Sequence, residues 1–206
     1  AIEELKLLDS ATARQRLGIP SGRFCFGVIG RLVSKKNHEL LIRAFAELDE
    51  DSVLAVVGDG RLKDELKELT ARLGIEHRVT FSGHQENART LMKAFDAFVL
   101  PSGIEEAFGM VLLEAMAASI PILSTDAPGP KSVVGNAAIT FKCDDKVDLV
   151  AKLKRMQALS KQEAGELVAR GSRRLQENFS VAAMSEKIRS VPEIARLAST
   201  GVERDV

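Results

Sequence analysis

Glu106 and Glu114 stand eight positions apart in Glu106-Ala107-Phe108-Gly109-Met110-Val111-Leu112-Leu113-Glu114, with a glycine between them and an apolar run around it. The stretch Gly109 to Ala118 reads as a helix that is apolar almost all round, and hence buried. Glu114 is then a carboxylate alone inside an apolar helix, where an ionised group needs donors or an edge position. One reading makes it a satisfied core glutamate, or one favoured by the helix dipole in the first turns. The other reading is chemical. Gly109 permits close approach to the helix start, where unpaired N–H groups suit a phosphate. Glu114, further in at about 1.5 Å per residue, is then placed to accept hydrogen bonds from a vicinal diol such as a ribose. Glu106 lies before the helix, near whatever the phosphate carries.

Cations that match such an anion occur once in a suggestive place, at Arg31 and Lys36 in Gly30-Arg31-Leu32-Val33-Ser34-Lys35-Lys36-Asn37. Arg offers a planar fork and Lys a point charge, complementary ways to hold a diphosphate without a metal. The plainer reading of Lys35-Lys36 is a solvated surface pair. Metal-ligand spacing is absent. Asp49-Glu50-Asp51 precedes a strand, on the opposite rim from Arg31, and reads as a solvated turn. His38, His77 and His84 are scattered, and His84 itself reads as a surface-loop residue unless the cleft uses it. No phosphate-binding Gly-x-x-x-x-Gly-Lys-Ser/Thr occurs, nor a full Gly-x-Gly-x-x-Gly after the first strand, which weakens kinase, NTPase and dehydrogenase readings.

The elements that must position these residues alternate. Apolar, β-branched runs at Phe24–Ile29, Val53–Val57, Val79–Ser82, Ala97–Leu100, Pro121–Ser124 and Ala138–Phe141 read as strands covered on both faces. Helical stripes lie between them, at Leu40 to Leu48, Leu62 to Leu73, Leu91 to Phe95 and Gly109 to Ala118. After Phe141 only helices follow, at Lys146–Leu159, Lys161–Phe179 and Val181–Leu197. This order implies an α/β fold, a doubly wound, mainly parallel six-stranded sheet with helices on both faces and a helical C-terminal tail. In such a sheet ligands bind beyond the carboxyl ends of the strands. The glycines and charged residues gather there: Gly30-Arg31, Gly58-Asp59-Gly60-Arg61, Gly83-His84, Pro101-Ser102-Gly103 and Gly129-Pro130-Lys131.

Composition sets the outer bounds. The 206 residues are 45% hydrophobic and 28% charged, which fits a globular chain rather than a disordered one. Lys+Arg and Asp+Glu both number 29, so no global basic field exists to hold nucleic acid or anionic lipid. Cys25 and Cys143 are too few for a disulfide framework or a zinc site and read as inert thiols. The start, Ala1-Ile2-Glu3-Glu4, has no initiator Met and no basic region of a signal peptide, and reads as the start of an excised fragment.

With these residues in order, the sequence resembles the C-terminal half of group 1 (family 4) retaining glycosyltransferases of the GT-B fold. The matching pieces are Gly30-Arg31-Leu32 with Lys36, Val57-Gly58-Asp59-Gly60, Val79-Thr80-Phe81-Ser82-Gly83, and Pro101-Ser102 followed by the Glu106/Glu114 pair around Phe108-Gly109. The resemblance runs from about Arg16 to about Phe179. It implies a Rossmann-like domain that holds a UDP- or GDP-sugar, with no cofactor and no metal. Arg31 and Lys36 would hold the diphosphate, and Glu114 the ribose. The amides of Ala107, Phe108 and Gly109 would lie by the sugar and phosphates, and Glu106 would contact the sugar or support its reacting face. Gly30, Gly58 and Gly60 would line the cleft, and Ser82, Gly83 and His84 would flank the base. The acceptor, a glycan or a lipid-linked one, would be met through an N-terminal half absent from this chain, and no nucleic acid is expected. A cytoplasmic setting follows, peripheral to the inner membrane face only through the missing half. One departure is Lys131, where related sequences often carry a Glu.

The chain thus reads as one nucleotide-sugar-binding domain, with a lead-in over 1–20, an α/β core over 21–145, helices over 146–198 and a frayed tail over 199–206. Alone it is expected to bind nucleotide but not to transfer sugar. A non-catalytic nucleotide-binding or scaffold module is the alternative, followed by a GT-B-type sugar-nucleotide epimerase.

Overall fold

The apolar runs pair side by side into one six-stranded parallel sheet in the computed structural model, which describes residues 5–190. The strands are β1 (Phe24–Ile29), β2 (Ser52–Val57), β3 (Val79–Gly83), β4 (Ala97–Leu100), β5 (Ile122–Thr125) and β6 (Ile139–Phe141). Their order across the sheet is β3-β2-β1-β4-β5-β6. Because the chain leaves β1 in one direction and later returns to pair β4 on its other edge, a crevice opens above β1 and β4, where the order reverses.

Residues of one strand feed two cores, as the period of two demands. Phe26, Val28, Leu54 and Val56 join one cluster, while Cys25, Val53, Ala55 and Val57 join the other. The first is covered by α2 (His38–Phe45), α3 (Lys63–Arg72) and α6 (Lys146–Gln157), through Leu41, Phe45, Leu66, Leu69, Leu149 and Leu153. The second is covered by α1 (Ser10–Leu17), a 3-10 helix at Ala88–Ala94, α4 (Met110–Ala117), α5 (Pro128–Val134) and α7 (Lys161–Phe179). α8 (Val181–Arg189) follows a sharp corner at Ser180, which caps it by accepting from Ala183 N. Cys25 lies in the core, and burial pushes its thiol up to about 12, so it is inert.

Three elements differ from the sequence expectation. The stretch read as a lead-in contains α1. Its polar sequence hides it, and tertiary contacts hold it: Asp9 caps Thr12 N at 3.0 Å, Ala13 and Leu17 are buried, and Arg14 donates to Ala94 O at 3.0 Å and pairs with Asp96. α5 was not legible because Pro128-Gly129-Pro130 reads as a turn, although Pro suits a helix's first positions. The Leu91–Phe95 stripe is a 3-10 helix. The expected helix to Leu197 is seen as far as Arg189, and its end, with the frayed tail at 199–206, lies outside the described residues. Among the described residues no helix is long and apolar enough to cross a membrane.

Candidate functional site

The loops after β1, β2 and β3 are joined edge to edge at the carboxyl rim. Gly30 N donates to Val57 O at 3.0 Å, Leu32 N to Asp59 O at 2.9 Å, and Gly58 N to Gly83 O at 2.8 Å. Gly58 and Gly60 make this possible. A Cβ at Gly58 would lie 1.9 Å from Gly30 O, and one at Gly60 would lie 2.5 Å from Leu32 O. Gly30, Gly58, Gly60 and Gly83 thus form a continuous backbone floor. Ser82 does not contribute its side chain to that floor, because its hydroxyl donates to Leu17 O at 2.8 Å and anchors α1. His84 is exposed just beyond Gly83.

The loop after β1 turns through a 3-10 segment at Ser34–Lys36, then places Asn37 in the left-handed region at φ 52°. Asn37 Nδ2 donates to Asp144 Oδ1 at 2.7 Å, and Gly103 N donates to Lys35 O at 3.0 Å. The rim loops after β1, β4 and β6 are thereby clasped together, which brings Lys36 to the loop after β4. Lys36 Nζ donates to Glu106 Oε2 in an ion pair whose side chains are only 21% and 13% exposed. Burial works to raise the Glu106 carboxyl, but the Lys36 hydrogen bond, the Ser102 hydroxyl and the charges of Lys36 and Lys35 together hold it below the usual range. Arg31 is on the same loop and exposed.

α4 begins directly after this pair. Gly109 stands in the left-handed region at φ 80°, a conformation that favours glycine, and no side chain caps the helix. The first amides of α4 therefore face the rim without a side-chain acceptor. Glu114, on the second turn, is half-buried. Burial raises its carboxyl, the charge of Arg89 opposes this, and no hydrogen bond from a described residue reaches it. Among the described residues Glu114 thus lacks a hydrogen-bond donor of its own. The two acids are driven in opposite directions, Glu106 down and Glu114 up.

Asn37, Asp144 and Arg89 carry no role in the sequence alone, where Ser102 stands as a motif residue without its contact to Glu106. An Asn just before a helix is too common to stand out. Lys131 is exposed, at the middle residue of the short helix α5. Asp49, Glu50 and Asp51 lie before β2, on the opposite rim and exposed, and among the described residues no group of three or more His, Cys, Asp or Glu side chains converges to hold a metal.

Residues 9–191 match the family described as "Glycosyl transferases group 1". The chain belongs to that family. Among group 1 relatives, the lipopolysaccharide core biosynthesis glycosyltransferase LpsD of Rhizobium meliloti (strain 1021) is 36% identical over 179 residues, covering 84% of this chain and 50% of LpsD. A crystal structure of Anabaena Alr3699/HepE in complex with UDP is 25% identical with a TM-score of 0.82, covering 97% of this chain and 55% of that one. The same protein was also solved with UDP-glucose. The C-terminal domain of a group 1 family protein (LpcC) from Francisella tularensis, 17% identical, shares the fold with a TM-score of 0.73, over 87% of this chain and 98% of that domain. The group 1 chain described here spans about half the length of LpsD and of the Anabaena protein.

Proposed function

We propose that the chain is the donor-binding half of a retaining, metal-independent glycosyltransferase that takes its sugar from a UDP- or GDP-sugar. The observation that carries this reading is the juxtaposition of two features at one rim, the Lys36–Glu106 pair and the uncapped start of α4, with half-buried Glu114 on the second turn of that helix. The diphosphate sits on the α4 amides between Arg31 and Lys36, and Glu114 accepts from the ribose hydroxyls. The Ala107–Gly109 amides face the phosphates and sugar. Gly83 and His84 border the base over the floor of Gly30, Gly58 and Gly60. UDP is the first nucleotide to test, because the similar Anabaena protein was crystallised with it.

In the reaction, the bond between the anomeric carbon and the diphosphate oxygen breaks, and the acceptor oxygen bonds to that carbon on the same face. The acceptor's proton passes to the departing diphosphate oxygen. Arg31, Lys36 and the helix start stabilise the negative charge that develops there, and Glu106 supports the positive charge at the sugar. The acceptor, a glycan or a lipid-linked one, is brought by an N-terminal half outside this chain, so this half alone binds donor without transferring it. Activated sugars place the enzyme in the cytoplasm.

Calorimetric titration of the chain with UDP and GDP, beside Glu114→Ala, tests the reading. Binding of one nucleotide, lost in the variant, supports it. A chain that binds neither refutes it in favour of a scaffold module. Transfer by the longer protein containing this half, unchanged by Glu106→Ala, would remove Glu106 from the chemistry.

A further inference from the structure

α7 ends beside the loop that carries Glu106 and the amides to Gly109. Its last residue, Phe179, meets Phe108 edge to face, with ring centroids 5.9 Å apart and planes at 81°. Arg174 sets its guanidinium 5.9 Å from the centre of the Phe179 ring. The same guanidinium donates from Nε to Val133 O at 2.5 Å and from Nη2 to Ser132 O at 2.6 Å, so it also caps the end of α5. Gly135 leaves room for it, since a Cβ there would lie 2.7 Å from Arg174 Cζ. α5 also begins against the loop's own backbone: a Cβ at Gly129 would lie 2.3 Å from both Glu106 O and Ala107 O.

The loop is therefore held twice, by α7 at the Phe108 ring and by α5 at its backbone. Phe108 is 36% exposed, so burial by the core does not fix its ring. Its aromatic partner is Phe179, met nearly at right angles. Tethering the Phe108 side chain restrains its Cα, and with it the short backbone segment from Ala107 to Gly109 that leads into α4.

We infer that Phe179 is a positioning residue for the donor site, acting through Phe108, with Arg174 holding Phe179 in place. This rests on the nucleoside-diphosphate reading of the same loop. An aromatic pair of this geometry supports an effect of about tenfold in affinity when it is removed.

The test uses the whole chain with UDP as probe, and amide hydrogen exchange without ligand. Phe179→Ala is expected to weaken UDP about tenfold and to speed exchange at 107–109 while β1 keeps its protection. Phe179→Tyr keeps the ring and is expected to stay within about twofold of the unaltered chain. Phe179→Leu, which fills the space without an aromatic edge, serves if the alanine variant does not fold, and is expected to fall between them. Equal UDP affinity in Phe179→Ala or Phe179→Leu and the unaltered chain overturns the inference, as does unchanged exchange at 107–109. If the unaltered chain binds no UDP, the donor-site reading fails instead, and faster exchange at 107–109 still separates that result from failure of the Phe179 contact.

Discussion

Lys36 and Glu106 share a hydrogen-bonded ion pair at the rim, although 70 residues separate them in the chain. The cation proposed for the diphosphate is thus held, before donor binds, by the acid proposed for the sugar. In the proposed function an incoming diphosphate would compete with Glu106 for this ammonium. Both side chains are mostly shielded, which makes the pair worth more than an exposed one and makes removal of one partner more harmful than removal of both.

Lys36→Met is expected to weaken nucleoside diphosphate binding by about ten- to a hundredfold, a lost charge-assisted contact in a shielded site. The same change strands Glu106. Because the Glu106 carboxyl is held below its usual value, it contributes stability that is present above the ordinary glutamate range and is lost as pH falls through the depressed value. Urea unfolding across acidic pH should show that loss in the unaltered chain and a flatter profile in Lys36→Met. The double variant Lys36→Met/Glu106→Gln should recover part of the stability lost by Lys36→Met alone.

Glu114 carries the opposite sign. Its carboxyl is raised by burial, so the folded chain favours the protonated form; that stability is present below the ordinary glutamate range and is lost as pH rises through the raised value. Glu114→Gln should therefore melt a few degrees higher than the unaltered chain near neutral pH, with the advantage shrinking in acid. UDP affinity should fall about tenfold at the same time, a trade of binding against stability. Thermal melts at two pH values and calorimetry check both halves of the expectation.

His38 opens α2 almost fully buried, and neither ring nitrogen has a hydrogen-bond partner among the described residues. Burial, with the nearby charge of Lys36, pushes it down to about 4. Below the ordinary histidine range the unfolded chain takes up a proton that the folded chain refuses, so stability should fall as pH drops from the histidine range toward 4. The steepest slope is about 1.4 kcal/mol per pH unit. Denaturant titrations of His38→Leu at neutral and mildly acid pH should show that slope reduced.

Gly58→Ala should be among the most damaging small changes, because a methyl group would be forced onto the carbonyl of Gly30. A loss of about 2–4 kcal/mol is expected, together with loss of UDP binding, since the floor of the cleft must move. An unchanged melting point would show that the loop after β2 can yield without cost.

Much of this architecture was legible in advance because strand and helix signals are local. The all-apolar runs from Phe24, Val53 and Ala97 read as parallel strands covered on both faces, and glycines within a few residues of their ends marked the rim. α1 escaped because Ser10–Leu17 has almost no apolar face of its own and owes its helix to Asp9, Arg14 and the pocket for Leu17. α5 escaped because two prolines in a helix's first turn look like a turn until the chain is folded.

The pattern of residues by itself determined the α/β class, the strand positions, and the identity of the charged and glycine-rich segments that could meet an anion, since each depends on neighbours a few positions away. Whether Lys36 would find Glu106 and whether Phe179 would reach Phe108 were decided only by the strand order and by the way α7 returns across α4. Those contacts join groups about 70 residues apart, and no local periodicity records them. They depend on which loops the crevice above β1 and β4 brings to one edge.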